Sequence, residues 1–136
     1  MVPSTGDFRL PNNPFLWRGT CHHSGAAAAA QQLLAHQGPD MALLYVWGHS
    51  WKLDGGAPNN SWSYIEAVCK TLGGKSDVWY AGNAEVADYL AALRKVELAL
   101  TGDPMFNASS SSVWVKQGGQ AVELKPQATL PLPAPP

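Results

Sequence analysis

Apolar and polar positions change rhythm several times along the chain. "MALLYVW", Met41 to Trp47, is apolar without a break. An unbroken run of this length predicts a strand covered on both faces, as in a parallel sheet. "SWSYIEAVCKTLGG" instead spaces Trp62, Ile65, Val68, Cys69 and Leu72 at threes and fours, the stripe of an amphipathic helix. Asn60 or Ser61 caps that helix and Gly73–Gly74 ends it. "AEVADYLAALRK" predicts a second such helix, with Asn83 as cap and Val86, Tyr89, Leu90 and Leu93 as the buried face. Upstream, "SGAAAAAQQLLAHQG" offers Ser24 as cap, a run of strong helix formers, and Gly38–Pro39 as a stop. Its modest apolar stripe is Leu33, Leu34 and Gln37, with Ala30 a turn earlier. "DVWYA", Asp77 to Ala81, predicts a short strand. The order α–β–α–β–α is the rhythm of a parallel α/β sheet. Two strands alone make a very small sheet, so further strands are expected from outside this stretch.

The character changes after Lys95. "VELAL" alternates, "TGDP" signals a turn, and "VWVK" and "AVELK" flank the hairpin loop "QGGQ". A small antiparallel β appendage is therefore expected over residues 96–125. The last eleven residues, "PQATLPLPAPP", contain five prolines and predict an extended, disordered tail over 126–136. Pro3, Pro11 and Pro14 make residues 1–20 extended as well.

Composition narrows the function classes. A chain of 136 residues suits one domain. Charged residues are 14% against 46% hydrophobic, and the net charge is −1 with no basic block. Nucleic-acid and anionic-membrane binding have no electrostatic footprint here. The low charge fits a ligand-facing apolar surface or a surface that a partner covers. No run approaches the about 20 apolar residues of a membrane span, and the N-terminal stretch is broken by prolines where a secretion signal is continuous. Cys21 and Cys69 read as ordinary thiols of a reducing compartment. A cytoplasmic location is expected.

Candidate chemistry concentrates around "GHSWKLDGGAPNN", Gly48 to Asn60, which is long for a βα connection. In α/β sheets ligands bind at the carboxyl ends of parallel strands. His49 stands two residues beyond the apolar run, where a near-neutral imidazole can donate a proton; a solvated loop histidine has the same local sequence. Asp54 could orient that imidazole or serve as a turn residue. Ser50 forms no nucleophile elbow. "TCHH", Thr20 to His23, suggests a metal, and Cys21, His23 and His49 could converge. Adjacent histidines of an extended segment point to opposite faces, however, so the stretch also reads as a lead into the first helix. Six tryptophans are present. Trp51 and Trp79, with Trp47, fall near predicted strand ends, where aromatic faces stack on sugar rings or pack in a core or interface.

Four stretches taken in order, "TGDFRLP…LWRGTCHH", "LLYVWGHSWKLD…NNSWSYIEAVCKTLGG", "DVWYAGNAEVADYLAALRKVELAL" and "SSVWVKQGGQAVELKP", resemble the C-terminal half of a bacterial polysaccharide deacetylase. The resemblance runs from about Thr5 to Lys125. It implies residues 1–95 as the C-terminal half of a (β/α)7-type barrel, followed by the appendage and tail. It implies metal-dependent hydrolysis of N-acetyl groups on amino-sugar polymers. In such enzymes an aspartate and two histidines hold a divalent metal, usually zinc, and a second aspartate acts as base. A histidine in a Leu-x-His motif acts as acid. Trp47-Gly48-His49 stands in that last place, which implies His49 as the catalytic acid and Trp51 and Trp79 as substrate contacts. The "TFDDG"-like and "HSxxH"-like motifs are absent, so no metal ligand and no cofactor is assigned within this chain. Lys52 stands where an acidic residue is expected, and "GTCHHSGAAAAA" departs from the "PTCHHxDP" form. The implied function is a deacetylase-like polypeptide lacking its metal-binding half and inactive alone. The alternative is a non-catalytic truncated derivative with a binding or structural role. A carbohydrate partner is implied, together with self-association or pairing with the missing N-terminal half.

Overall fold

The computed structural model describes residues 4–13, 15–37, 40–99 and 104–131. The chain forms two compact units, Met1–Trp79 and Tyr80–Pro136.

In the first unit Cys21–His22 (β1) leads through a 3-10 turn, His23–Gly25, into helix α1, Ala26–Leu34. Alanines favour the helix, and Ala26, Ala29 and Ala30 form its buried face rather than Leu33 and Leu34, which are half-buried. Ser24 is not the cap. The residue before the helix is Gly25, without a side-chain cap, and the work passes to a distant tyrosine. Tyr64 Oη accepts from the Ala27 N–H (3.0 Å) and donates to the Ser24 carbonyl (3.1 Å). The expected stop at Gly38–Pro39 lies outside the described residues.

Helix α2, Trp62–Leu72, begins at Ser61, whose hydroxyl accepts from the Tyr64 N–H, and Gly74 beyond its end has φ of +70°. Both are the roles expected of those residues. Its inward line is Tyr64, Val68 and Leu72, packed with Ala26 and Ala30 of α1 and with Cys21, Leu44 and Val46. Trp62 and Cys69, expected on that face, are exposed.

The run Met41 to Trp47 is not a strand covered on both faces. Only Val46–Trp47 (β2) pairs, in parallel with β1, and residues 42–47 are half-buried throughout. Below that pair Thr20 ties the two segments by backbone and side chain, its N–H donating to the Tyr45 carbonyl at 2.7 Å. Its hydroxyl donates to the Leu43 carbonyl and accepts from the Tyr45 N–H, both at 3.1 Å. Asp77–Ala81 is not a strand either; Ser76 and Asp77 form a turn, and the Val78 N–H reaches back to the Lys75 carbonyl.

The second unit starts with helix α3, Asn83–Leu93. Gly82, not Asn83, precedes it, and the Glu85 carboxylate accepts from the Gly82 N–H at 2.6 Å, an acidic group favoured at a helix start. Val96–Leu98 (β3), Met105–Asn107 (β4) and Thr129–Leu130 make an antiparallel sheet with β4 in the middle. Val113–Gln117 (β5) and Gln120–Leu124 (β6) form the expected hairpin; we label Thr129–Leu130 β7. Gly118 and Gly119 both have positive φ, +57° and +81°, as a two-residue type I′ turn requires. The core is Ala92, Met105, Val113 and Leu124, flanked by Tyr89, Leu93 and Val96. The buried Asn107 side chain knits the unit together, giving to the carbonyls of Ser111, Leu124 and Lys125 and taking from the Ser109 N–H and hydroxyl.

The expected fold class is therefore corrected. The described residues contain one two-stranded parallel pair and two small antiparallel sheets. They form no barrel and no half-barrel, because one parallel pair is too little to curve into a wall. Nor is the whole stretch from residue 126 a disordered tail. Thr129–Leu130 pairs with β4, and Gln127 and Ala128 bond to Asn107 through the backbone. Residues 132–136 lie outside the described part.

Candidate functional site

The parallel pair β1–β2 sets the residues after each strand side by side, which brings two stretches of sequence together. His22 lies opposite Trp47 in the register. From there a chain of aromatic rings extends. His23 lies against His22 (centroids 3.9 Å), His22 meets the edge of Trp47 (4.9 Å, 78°), and Trp47 meets His49 (6.0 Å, 89°). His49 then stacks on Trp51 at 5.6 Å and 22°. The Lys52 ammonium stands 5.5 Å from the Trp51 ring centre, a cation–π distance.

The two ends of this chain differ. His23 is 4% exposed. Its Nε2 lies 2.6 Å from Asn60 Oδ1; an amide oxygen only accepts, so Nε2 carries the proton. Nδ1 is buried without a partner and faces Gly48, where any Cβ would overlap it. His22 Nδ1 accepts from the Ser24 N–H (3.4 Å) and pairs with the Ser24 hydroxyl (2.9 Å), which leaves the other nitrogen as the N–H of the neutral ring. Desolvation holds the His22 pKa below its usual value, helped by His23, Lys52 and His49.

His49 and Trp51 lie at the open end. His49 is exposed, in extended backbone (φ −120°, ψ 122°) just before the 3-10 segment Ser50–Gly55. That segment turns Trp51 back beside the imidazole. Trp51 is 67% exposed. The structure thus brings the predicted pair His49 and Trp51 together. Trp79, 58% exposed, lies instead in the irregular stretch after α2.

Asp54 does not orient an imidazole. Its Oδ1 accepts from the Trp62 indole N–H at 2.8 Å, which holds Trp62, 57% exposed, at the start of α2. Sequence reasoning placed Trp62 on a buried stripe and gave Asn60 only a capping role. His23 and Asn60 stand 37 positions apart, and no local signal announces their contact.

The metal implied by the resemblance does not fit these residues. His23 Nε2 is held by Asn60 and His22 Nδ1 by Ser24. Burial raises the Cys21 thiol above its ordinary pKa, which disfavours the thiolate that a metal takes. Among the described residues no group of three or more His, Cys, Asp or Glu is placed to hold a metal ion. Among the same residues no helix is long and apolar enough to cross a membrane. No protein family, curated protein or solved structure matches the chain.

Proposed function

We propose that this chain is a deacetylase-related glycan-binding polypeptide, with His49 and Trp51 as its sugar-contacting pair. The observation that supports this reading is the open indole of Trp51 with the His49 imidazole beside it. An indole face offers rigid apolar area to the C–H face of a sugar ring, and an imidazole at its rim offers a directional donor to a hydroxyl or an amine. In the deacetylase reading His49 holds a proton toward the departing amine of an N-acetyl-amino sugar. Amide hydrolysis also needs an activated water. Asp54, the acidic residue of the loop 48–60, is turned to Trp62, so the loop presents an acid without a base. The chain alone therefore binds rather than cleaves.

Tryptophan fluorescence titration with N-acetylglucosamine oligomers tests the binding, and acetate release with and without added zinc tests the chemistry. Binding that Trp51→Ala abolishes, with no acetate released, is the expected result. No binding by the wild-type chain would remove the reading. Acetate release that His49→Ala leaves undiminished would remove the acid role of His49.

A further inference from the structure

We infer that the glycan taken at this site is acidic: a uronic-acid unit stacked on Trp51 with its carboxylate at Lys52. The inference rests on the glycan-binding reading above and names its substrate class. It begins with a cation, Lys52, that makes no ion pair among the described residues. Asp7 pairs with Arg9 and Glu66 with Lys70, and Lys52 joins neither pair. Its ammonium is held over the Trp51 ring instead, where a ring quadrupole partly compensates a cation but leaves its hydrogen-bond donors open. The carboxylate closest in sequence, Asp54, is the single acidic residue between Gly48 and Asn60, and its Oδ1 is committed to Trp62.

His49 stacks on the same indole and brings its ring nitrogens to the edge of the plate. The rim of Trp51 therefore combines an apolar plate with a cationic head and ring nitrogens. A neutral amino sugar would use the plate and the imidazole and leave the Lys52 cation unanswered. A hexuronate matches both parts, its C–H face on the indole and its carboxylate taking a charge-assisted bond from Lys52 Nζ.

The test is a fluorescence titration of the full chain at low salt with galacturonate tetramer and N-acetylglucosamine tetramer in parallel, repeated on Lys52→Gln and Trp51→Ala. Far-UV circular dichroism confirms that each variant is folded. The expected result is about tenfold tighter binding of the acidic tetramer, reduced in Lys52→Gln to the affinity of the neutral one and lost in Trp51→Ala. Equal affinity for the two tetramers, with both lost in Trp51→Ala, overturns the acidic preference and leaves the glycan-binding reading standing. Binding of neither tetramer overturns both. Acidic binding that survives in Trp51→Ala, or that monomeric galacturonate matches, marks simple ion attraction and overturns the stacked site.

Discussion

Gly48→Ala should unfold the approach to the site by a single methyl group. Gly48 follows β2 directly, and a Cβ there would overlap His23 Nδ1 and stand 2.8 Å from His23 Cγ. The imidazole has nowhere to go. Its Nε2 is fixed on Asn60 at 2.6 Å and its face lies against His22 at 3.9 Å. To admit the methyl, the ring must leave Asn60 or the 48–60 loop must lift. Overpacking of this kind costs about 1–3 kcal/mol. Loss of the His23–Asn60 bond, with a buried donor left open, adds about 1–3 kcal/mol more. The two costs overlap, since relieving one incurs the other, so about 2–4 kcal/mol is expected overall. For a unit of this size each kcal/mol is about 4–8 °C in Tm. Thermal unfolding followed by tryptophan fluorescence should therefore show a fall of roughly 8–32 °C. Gly55→Ala is the control, because a Cβ there meets nothing within 4 Å. A second check is His23→Ala combined with Gly48→Ala. The smaller side chain makes room, so the two costs should fall well short of additive. If Gly48→Ala melts with Gly55→Ala, the packing of His23 against Gly48 is wrong, and with it the buried end of the ring chain.

Asn107→Ala should cost about 3 kcal/mol or more, since it strands five partners of a fully buried amide; urea unfolding that moves by less than about 1 kcal/mol would contradict it. The two thiols should differ in reactivity: Cys69 is exposed, whereas Cys21 is half-buried with its pKa raised by burial. A disulfide reagent added to the folded chain should titrate Cys69 rapidly and Cys21 only slowly or on denaturation, and equal rates would count against the placement of β1. His22 has a folded pKa held below its ordinary value by desolvation, helped by His23, Lys52 and His49 beside it. The unfolded chain then binds the proton more readily, so this stabilising contribution is present above pH about 6.5 and is lost as pH falls through the folded pKa. Denaturation midpoints between neutral and mildly acidic pH should fall in the wild type and fall less in His22→Gln.

Where local chemistry decides an element, the sequence is a good guide. Ser61 and Gly73–Gly74 bracket α2 as they should, and Gly118–Gly119 makes the hairpin turn that only positive φ allows. Where pairing decides, it is not. Asp77–Ala81 has the residues of a strand and forms none, because strand propensity is realised only beside a ladder partner. Thr129–Leu130 has the composition of a loose tail and pairs with β4, because that partner exists. The unbroken apolar run Met41 to Trp47 could not distinguish a strand covered on both faces from a half-buried segment tied by Thr20. The same division holds at the site. His49 and Trp51 are two residues apart, and a short 3-10 segment suffices to stack them. The His23–Asn60 bond and the turning of Asp54 to Trp62 are tertiary facts, invisible to spacing.

The thinness of the first unit's core decides which residues can be used to question the site. Its buried apolar cluster is Ala26, Ala30 and Val68, with Cys21, Leu44, Val46, Tyr64 and Leu72 only half-buried against it. At about 0.8 kcal/mol per buried CH2, two alanines and one valine at the centre contribute little. Long-range polar contacts must then carry a larger share of the fold: Tyr64 to Ala27 and Ser24, Thr20 to Leu43 and Tyr45, His23 to Asn60. These contacts hold β1, β2 and both helices in the arrangement that sets His22 beside Trp47. A change at His23, Asn60 or Tyr64 that weakens glycan binding would therefore say only that the platform has moved. His49, Trp51 and Lys52 stand outside that framework. His49 and Trp51 are exposed, and their side chains and that of Lys52 make ring and cation contacts with one another and with Trp47. Substitutions at these three should leave the melting temperature within a few degrees of the wild type while changing what binds. If instead Trp51→Ala melts as low as Gly48→Ala, the open end of the ring chain is structural, and its exposure has been misread as a surface for ligands.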